Sequence, residues 1–347
     1  MKQHSEVIKD LIEKFLKDSK SNLLFCEGIE DTFYGTLPRI DKQNKSQCYE
    51  LPCSENASVG MILGAASYGL NPILCFQRVE FALLALEQII NNSSKISFLS
   101  GDERKNPSLI RLVIGRGWGQ GPSHSQSLET IFAQVPSLNV VLPVFPEDSQ
   151  LIFKNFKKKK SPTICLEHRW IHFNKNSEIL PNDFEPYVIK DGKDLTIVAC
   201  GYDVVLSLMV AKIMENYNVS IEVINFFCLT PSNYKNIYKS IKKTKKLITI
   251  DINNTFYGAS SELLAKILCS GFTLDLPPVR LGAKGLFSPS SRHLVDDYYI
   301  NVCDIAIAIL NLLKIDRDHR KKIMQEIINL NGDIPNDVPN KGFSGPF

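Results

Sequence analysis

The chain has 347 residues, 44% of them hydrophobic and 22% charged, the balance of a globular protein long enough for two domains. A formal net charge of +3 argues against a nucleic-acid partner, and no stretch reaches the ~20 apolar residues of a membrane helix, so no membrane insertion is expected. The nine cysteines form no Cys-x-x-Cys pair, which argues against a zinc or other metal site; with an amino terminus that lacks a signal-peptide pattern, they predict a cytoplasmic protein.

Residues 6–18 carry Val7, Ile8, Leu11, Ile12 and Phe15 at helical spacing. Asn22–Cys26 reads as a strand, Asp31–Gln47 as a loop, and Ala57–Tyr68 as a helix whose Gly60, Gly64 and Ala65 let a neighbour approach closely. Pro72–Phe76 is a predicted strand and Ala82–Asn91 a helix; Ile110–Ile114, Asn139–Leu142 and Thr163–Leu166 are further strands. The polar stretch to Lys193 reads as a linker, after which the alternation restarts with strands at 195–199, 221–224 and 247–250 and helices at 204–215, 233–241 and 260–268. Strands separated by helices imply a mostly parallel, doubly wound α/β sheet, here twice over. The expected division is a first domain at 1–174, a linker at 175–193, a smaller α/β domain at 194–313, and a tail at 314–347 without periodicity. The lysine runs 157–160 and 242–246 read as solvated faces.

Three segments carry chemistry. Leu51-Pro-Cys-Ser-Glu-Asn-Ala-Ser-Val-Gly60 places Glu55 at the start of a small-residue helix, where a carboxylate is favoured in any case. Phe76-Gln-Arg-Val-Glu-Phe81 puts Phe81 just past a strand end, while Phe76 and Phe98 read as core. Gly119-Gln-Gly-Pro-Ser-His-Ser-Gln126 puts His124 behind a glycine-rich loop, and an imidazole can both give and take a proton near neutral pH. Gly115–Gly121 lacks the residues of a phosphate loop; Arg116 and Trp118 are expected at a substrate entrance instead. His4, His168, His172 and His293 read as structural or exposed.

In order and spacing these segments resemble the β subunit of the decarboxylating component of 2-oxo acid dehydrogenases, the pyruvate dehydrogenase type of the transketolase superfamily. The resemblance runs from about Asn22 to Ile300 and is most specific over Ile110–Trp170. Glu167-His-Arg-Trp170, Ser288-Pro-Ser-Ser291 and Asp297-Tyr-Tyr299 are similar to a divergent branch, some of whose members are associated with surface-polysaccharide gene groups. The resemblance implies a pyrimidine-binding domain followed by a transketolase-type carboxy-terminal domain, with thiamine diphosphate as cofactor. It implies that Glu55 bonds the aminopyrimidine and so promotes removal of the thiazolium proton, that Phe81 stacks on the pyrimidine, and that His124 serves the 2-oxo acid or acyl transfer.

Two departures stand out. Glu80 replaces the Asn or Asp more usual beside the aromatic. In many of these subunits an Asp and an Asn before a Pro-Val strand help to hold a potassium ion, but here Lys157–Lys160 and Ser161 precede Pro162, so that either a lysine takes the cation's place or the run faces water. The Gly-Asp-Gly motif that holds the diphosphate through Mg²⁺ does not occur, which implies an α subunit carrying it in a two-α two-β assembly with paired β chains. A lipoyl acyltransferase is a further expected partner. The alternatives are a carbon–carbon bond-forming acyltransferase acting on a ketosugar, and a non-catalytic scaffold subunit.

Overall fold

Buried aliphatic runs form the strands, and intervening helices bring the chain back to the same sheet end, which makes the pairing parallel. The computed structural model describes residues 2–116, 119–175, 179, 181, 183–230, 233–285, 287–332 and 338. The strands are β1 (Asn22–Cys26), β2 (Cys48–Glu50), β3 (Asn71–Phe76), β4 (Leu109–Ile114), β5 (Asn139–Val141), β6 (Thr163–His168), β7 (Tyr187–Lys190), β8 (Leu195–Ala199), β9 (Ile221–Asn225), β10 (Cys228–Thr230), β11 (Leu247–Ile250) and β12 (Val279–Leu281). A seven-stranded sheet has the order β10-β5-β6-β4-β3-β1-β2, with only β10 antiparallel. A five-stranded sheet has the order β12-β11-β8-β9-β7, with only β7 antiparallel. Two elements cross the expected divisions: β7 lies within the stretch read as a linker, and β10 leaves the second half to edge the first sheet.

The helices are α1 (His4–Asp18), α2 (Glu55–Ser67), α3 (Ile96–Leu99), α4 (Glu129–Ala133), α5 (Pro146–Asn155), α6 (Tyr202–Glu215), α7 (Lys235–Thr244), α8 (Ala259–Cys269), α9 (Val302–Leu312) and α10 (Arg317–Asn331). Alternate residues of β1 and β3 serve opposite faces. Leu24 and Ile73 pack with α1 and α5, whereas Phe25 and Leu74 pack with α2.

Three expectations are corrected. The stretch expected as a helix over 82–91 is a 3₁₀ turn, Val79–Ala85, followed by a π turn, Gln88–Ser93. Val79, Ala82 and Ala85 are all fully buried at a spacing of three, the 3₁₀ period. Phe98, expected in the core, is 85% exposed because α3 is a single turn with its apolar side outward. The tail expected to lack periodicity begins with α10, capped by Asp316, which accepts from Asp318 N and His319 N at 3.1 Å. Its charges mask the burial of Ile323 and Ile327 against the core that includes α6 and α9.

The lysine run largely faces water, the second of the two alternatives: Lys157, Lys158 and Lys160 are exposed and Lys159 is half-buried. Lys157 and Lys159 lie over the rings of Phe15 and Phe184, at 5.4 and 4.4 Å from their centroids, and Lys160 pairs with Asp102. The carbonyls of Ser161 and Pro162 are instead met by the Asn139 side-chain amide, at 3.2 and 3.1 Å.

A buried ion pair pins the centre of the first sheet. Arg111 of β4 donates to both oxygens of Glu167 on β6, at 2.6 and 2.8 Å, and to Thr36 Oγ1 at 3.0 Å; His172 Nε2 lies 3.1 Å from Glu167. Burial opposes the Glu167 charge, but Arg111 and the His172 hydrogen bond hold its pKa well below the usual carboxylate range. Removing one member strands the other charge. Glu167→Ala is therefore expected to cost about 3–5 kcal/mol, read as a lowered urea midpoint, while Glu167→Leu combined with Arg111→Met costs less than either single change. Equal or additive losses would show that the pair carries no such coupling.

Candidate active site

Open α/β sheets leave their ligand crevice at the carboxyl ends of the strands. Glu55 opens α2 after β2, Phe81 sits in the turn after β3, and His124 lies in the loop after β4. The rings of Phe81 and His124 stand 5.8 Å apart at 57°, and α2 packs against the turn that carries Phe81.

Glu55 is buried, Phe81 and His124 are half-buried, and the polar groups are incompletely satisfied. Glu55 is 8% exposed, and its carboxyl group accepts no hydrogen bond among the described residues; its place in the first helical turn favours a negative group. Glu27, at the end of β1, has its pKa raised by burial first and then by the neighbouring carboxylates of Glu55 and Glu50. Glu27 Oε1, Glu80 Oε2 and His124 Nδ1 are buried with no hydrogen-bond partner among the described residues. Because buried polar atoms are normally paired, such a concentration at strand ends marks where ligand atoms belong. A ring with donors on one edge and an aromatic face fits this set, so the residues are compatible with an aminopyrimidine.

The loop after β4 is shaped by close backbone approach. Gly115 has φ +98°, and a Cβ there would strike the His168 ring. Gly119, at φ +63°, would meet the Ser290 carbonyl at 2.6 Å. Arg116, expected at an entrance, is 7% exposed: its guanidinium lies 4.8 Å from the Trp170 ring centroid and 4.5 Å from that of Tyr299, and it donates to Ile300 O at 3.2 Å. It fastens the loop to the second half of the chain. Trp118, its expected companion, lies outside the described residues.

Of the other histidines, His4, His168 and His172 are buried and His293 is exposed. His168 is pushed well below the usual imidazole range by burial, then by Arg116 and Arg78.

Sequence reasoning missed Glu27, Asp203 and Asn254. Asp203 had one signal, its place just inside a helix after Gly201; nothing marked the other two. Asp203 lines a cavity of about 20 Å³ with Arg116, Ser125, Ser127 and His168, behind the His124 loop. A larger cavity of about 410 Å³ lies between Ser123, Ser125 and Gln126 on one side and Asn254, Phe256 and Ser288 on the other.

Residues 4–171 match the transketolase pyrimidine binding domain, and residues 186–305 match the transketolase C-terminal domain. The mitochondrial pyruvate dehydrogenase E1 component subunit beta of Caenorhabditis elegans is 31% identical over 304 residues, covering 83% of this chain and 86% of that protein. The counterpart from Saccharomyces cerevisiae is 29% identical over 287 residues, with 80% and 78% covered. A solved structure described as a split-gene transketolase, an inactive β4 tetramer, superposes with a TM-score of 0.72 at 18% identity, covering 91% of this chain and 99% of that one; it bears on the fold alone.

The carboxyl of Asp203 has its pKa raised from 3.8 to about 7, by burial first and with Asp251 and Glu129 adding to it against the opposing charge of Arg116. The folded state then keeps a proton that the unfolded chain has lost, so stability falls as pH rises between about 4 and about 7, by at most roughly 1.4 kcal/mol per pH unit. Asp203→Asn should remove this loss, and its melting temperature should gain on the wild type from pH 5 to pH 8. A gap that stays constant across that range would exclude the buried-acid account.

Proposed function

Since the chain belongs to the family built from a transketolase-type pyrimidine-binding domain and a carboxy-terminal domain, with β subunits of the pyruvate dehydrogenase E1 component among its relatives, we propose that it is the β-type subunit of a thiamine diphosphate-dependent 2-oxo acid dehydrogenase. It decarboxylates a 2-oxo acid and passes on the acyl group, in a site shared with an α subunit. The observation that carries this reading is Glu55, a buried residue whose carboxyl accepts no hydrogen bond among the described residues, on the helix packed against the Phe81 turn, with the His124 ring facing Phe81. Thiamine diphosphate, when bound, supplies the nucleophilic carbon and the electron sink that decarboxylation requires. Glu55 would hold the edge of the aminopyrimidine and set its proton arrangement, Phe81 would offer it an aromatic face, and His124 would move a proton at the reacting carbonyl. The α chain supplies the Mg²⁺–diphosphate motif that this sequence lacks, and the β chains pair with each other. The buried free thiols Cys75, Cys165 and Cys200 suit a reducing cytoplasmic setting.

A second reading concerns the acyl acceptor. A lipoyl domain is the acceptor in a dehydrogenase, but the 410 Å³ cavity beside the His124 loop offers hydroxyl and amide groups, two phenylalanine rings, the buried Glu129 and, among the described residues, no basic side chain and an Asn254 Oδ1 that is buried without a partner. That lining suits a neutral polyhydroxylated carbonyl compound such as a ketosugar.

Glu55→Gln keeps the shape of the side chain but not its proton chemistry. In the assembled enzyme it should lower turnover by ~100-fold or more, about 3 kcal/mol of transition-state stabilisation, and slow exchange of the thiazolium proton while leaving assembly intact. Wild-type turnover with an unchanged exchange rate would remove Glu55 from this role.

A further inference from the structure

We propose that Glu80 is the positioning residue for His124: its carboxylate accepts the Gln126 amide and so holds the loop bearing the imidazole against the turn bearing Phe81. The proposal rests on the role given above to His124. Among its described residues the loop's own backbone hydrogen bonds are long. His124 N reaches Gly121 O, and Gly115 N reaches Gln126 O, only at 3.4 Å. Against these long contacts, Gln126 N donates to Glu80 Oε1 at 2.8 Å, two residues from His124. A hydrogen bond to an ionised acceptor is shorter and roughly twice as strong as a neutral one, so this bond dominates the local placement of the loop. Glu80 directly precedes Phe81, whose amide closes a turn onto Arg78 O at 3.2 Å, so one residue joins both halves of the ring pair. Burial raises the Glu80 pKa, and the Gln126 amide, the residue's own backbone amide, Arg78 and His124 oppose that rise. Its second oxygen is buried without a partner among the described residues, which leaves the Gln126 bond as the loop contact that fixes this carboxylate.

The test compares wild type, Glu80→Ala and Glu80→Gln by two measurements. The first is amide hydrogen exchange at Gln126 in the chain itself. The second, in the complex with the α subunit and thiamine diphosphate, sets the rate of thiazolium proton exchange against the rate of acyl transfer. Glu80→Ala should speed Gln126 exchange and slow acyl transfer by ~10-fold each, the effect of losing ~1.4 kcal/mol, while thiazolium exchange stays within about twofold. Glu80→Gln keeps an oxygen for the amide and should restore both affected values to within about threefold of wild type. Should Glu80→Ala not fold, Glu80→Asp, one methylene too short to reach, takes its place. Wild-type amide exchange and acyl transfer in the truncated variant would overturn the proposal. So would failure of Gln to rescue, or a fall in thiazolium exchange equal to the fall in transfer, which would put Glu80 with Glu55 instead. A wild-type complex that does not turn over a 2-oxo acid counts against the functional reading alone, and the amide exchange still decides the tether.

Discussion

The constraint on which the rest depends is a set of polar atoms held at the strand ends with no partner among the described residues to meet them. Glu55 is 8% exposed at the start of α2, and Glu27, Glu80 and His124 each keep a buried polar atom without a partner among the described residues. Leaving such an atom unpaired costs on the order of 1–3 kcal/mol. A fold holds several of these only if the frame beneath them is rigid. That frame is the parallel sheet, with the Arg111–Glu167–His172 network locked across β4 and β6 and the apolar residues of α1, α2 and α5 closing both faces.

The second half of the chain completes the frame. Arg116 is held between Trp170 and Tyr299 and reaches Ile300 O, while Gly119 lies against the Ser290 backbone. The loop that presents His124 is thus fastened at one end by the carboxy-terminal half and at the other by the Glu80 carboxylate. Gly115, Gly119 and Gly121 permit the close packing of this loop against His168 and Ser290. The same contacts enclose Asp203, and that burial is the first cause of its raised pKa.

Much of this was legible in the sequence where a local pattern suffices. Continuous apolar runs gave β1, β8 and β11 their observed limits, because a strand covered on both faces needs apolar residues throughout. Glu55, Phe81 and His124 were singled out by a resemblance in order and spacing, and the fold puts each at a strand-to-helix or strand-to-loop junction. What depends on distant partners was hidden. Arg116 was expected at a substrate entrance because its acceptor, Ile300 O, lies 184 residues away in the sequence. Phe98 looked like core, yet it points outward from a single helical turn. In α10, charged residues outnumber the few apolar ones that bury, and β10 is three residues whose sheet is chosen by contacts with β5.

The central claim is that this chain holds half of a cofactor site. The direct measurement is calorimetric titration of thiamine diphosphate with Mg²⁺ into the chain alone, and then into its complex with an α chain carrying the Gly-Asp-Gly motif. The account predicts binding no tighter than about millimolar for the chain alone and about micromolar for the complex, a difference of roughly 4 kcal/mol. Micromolar affinity for the chain with no second polypeptide present would contradict it.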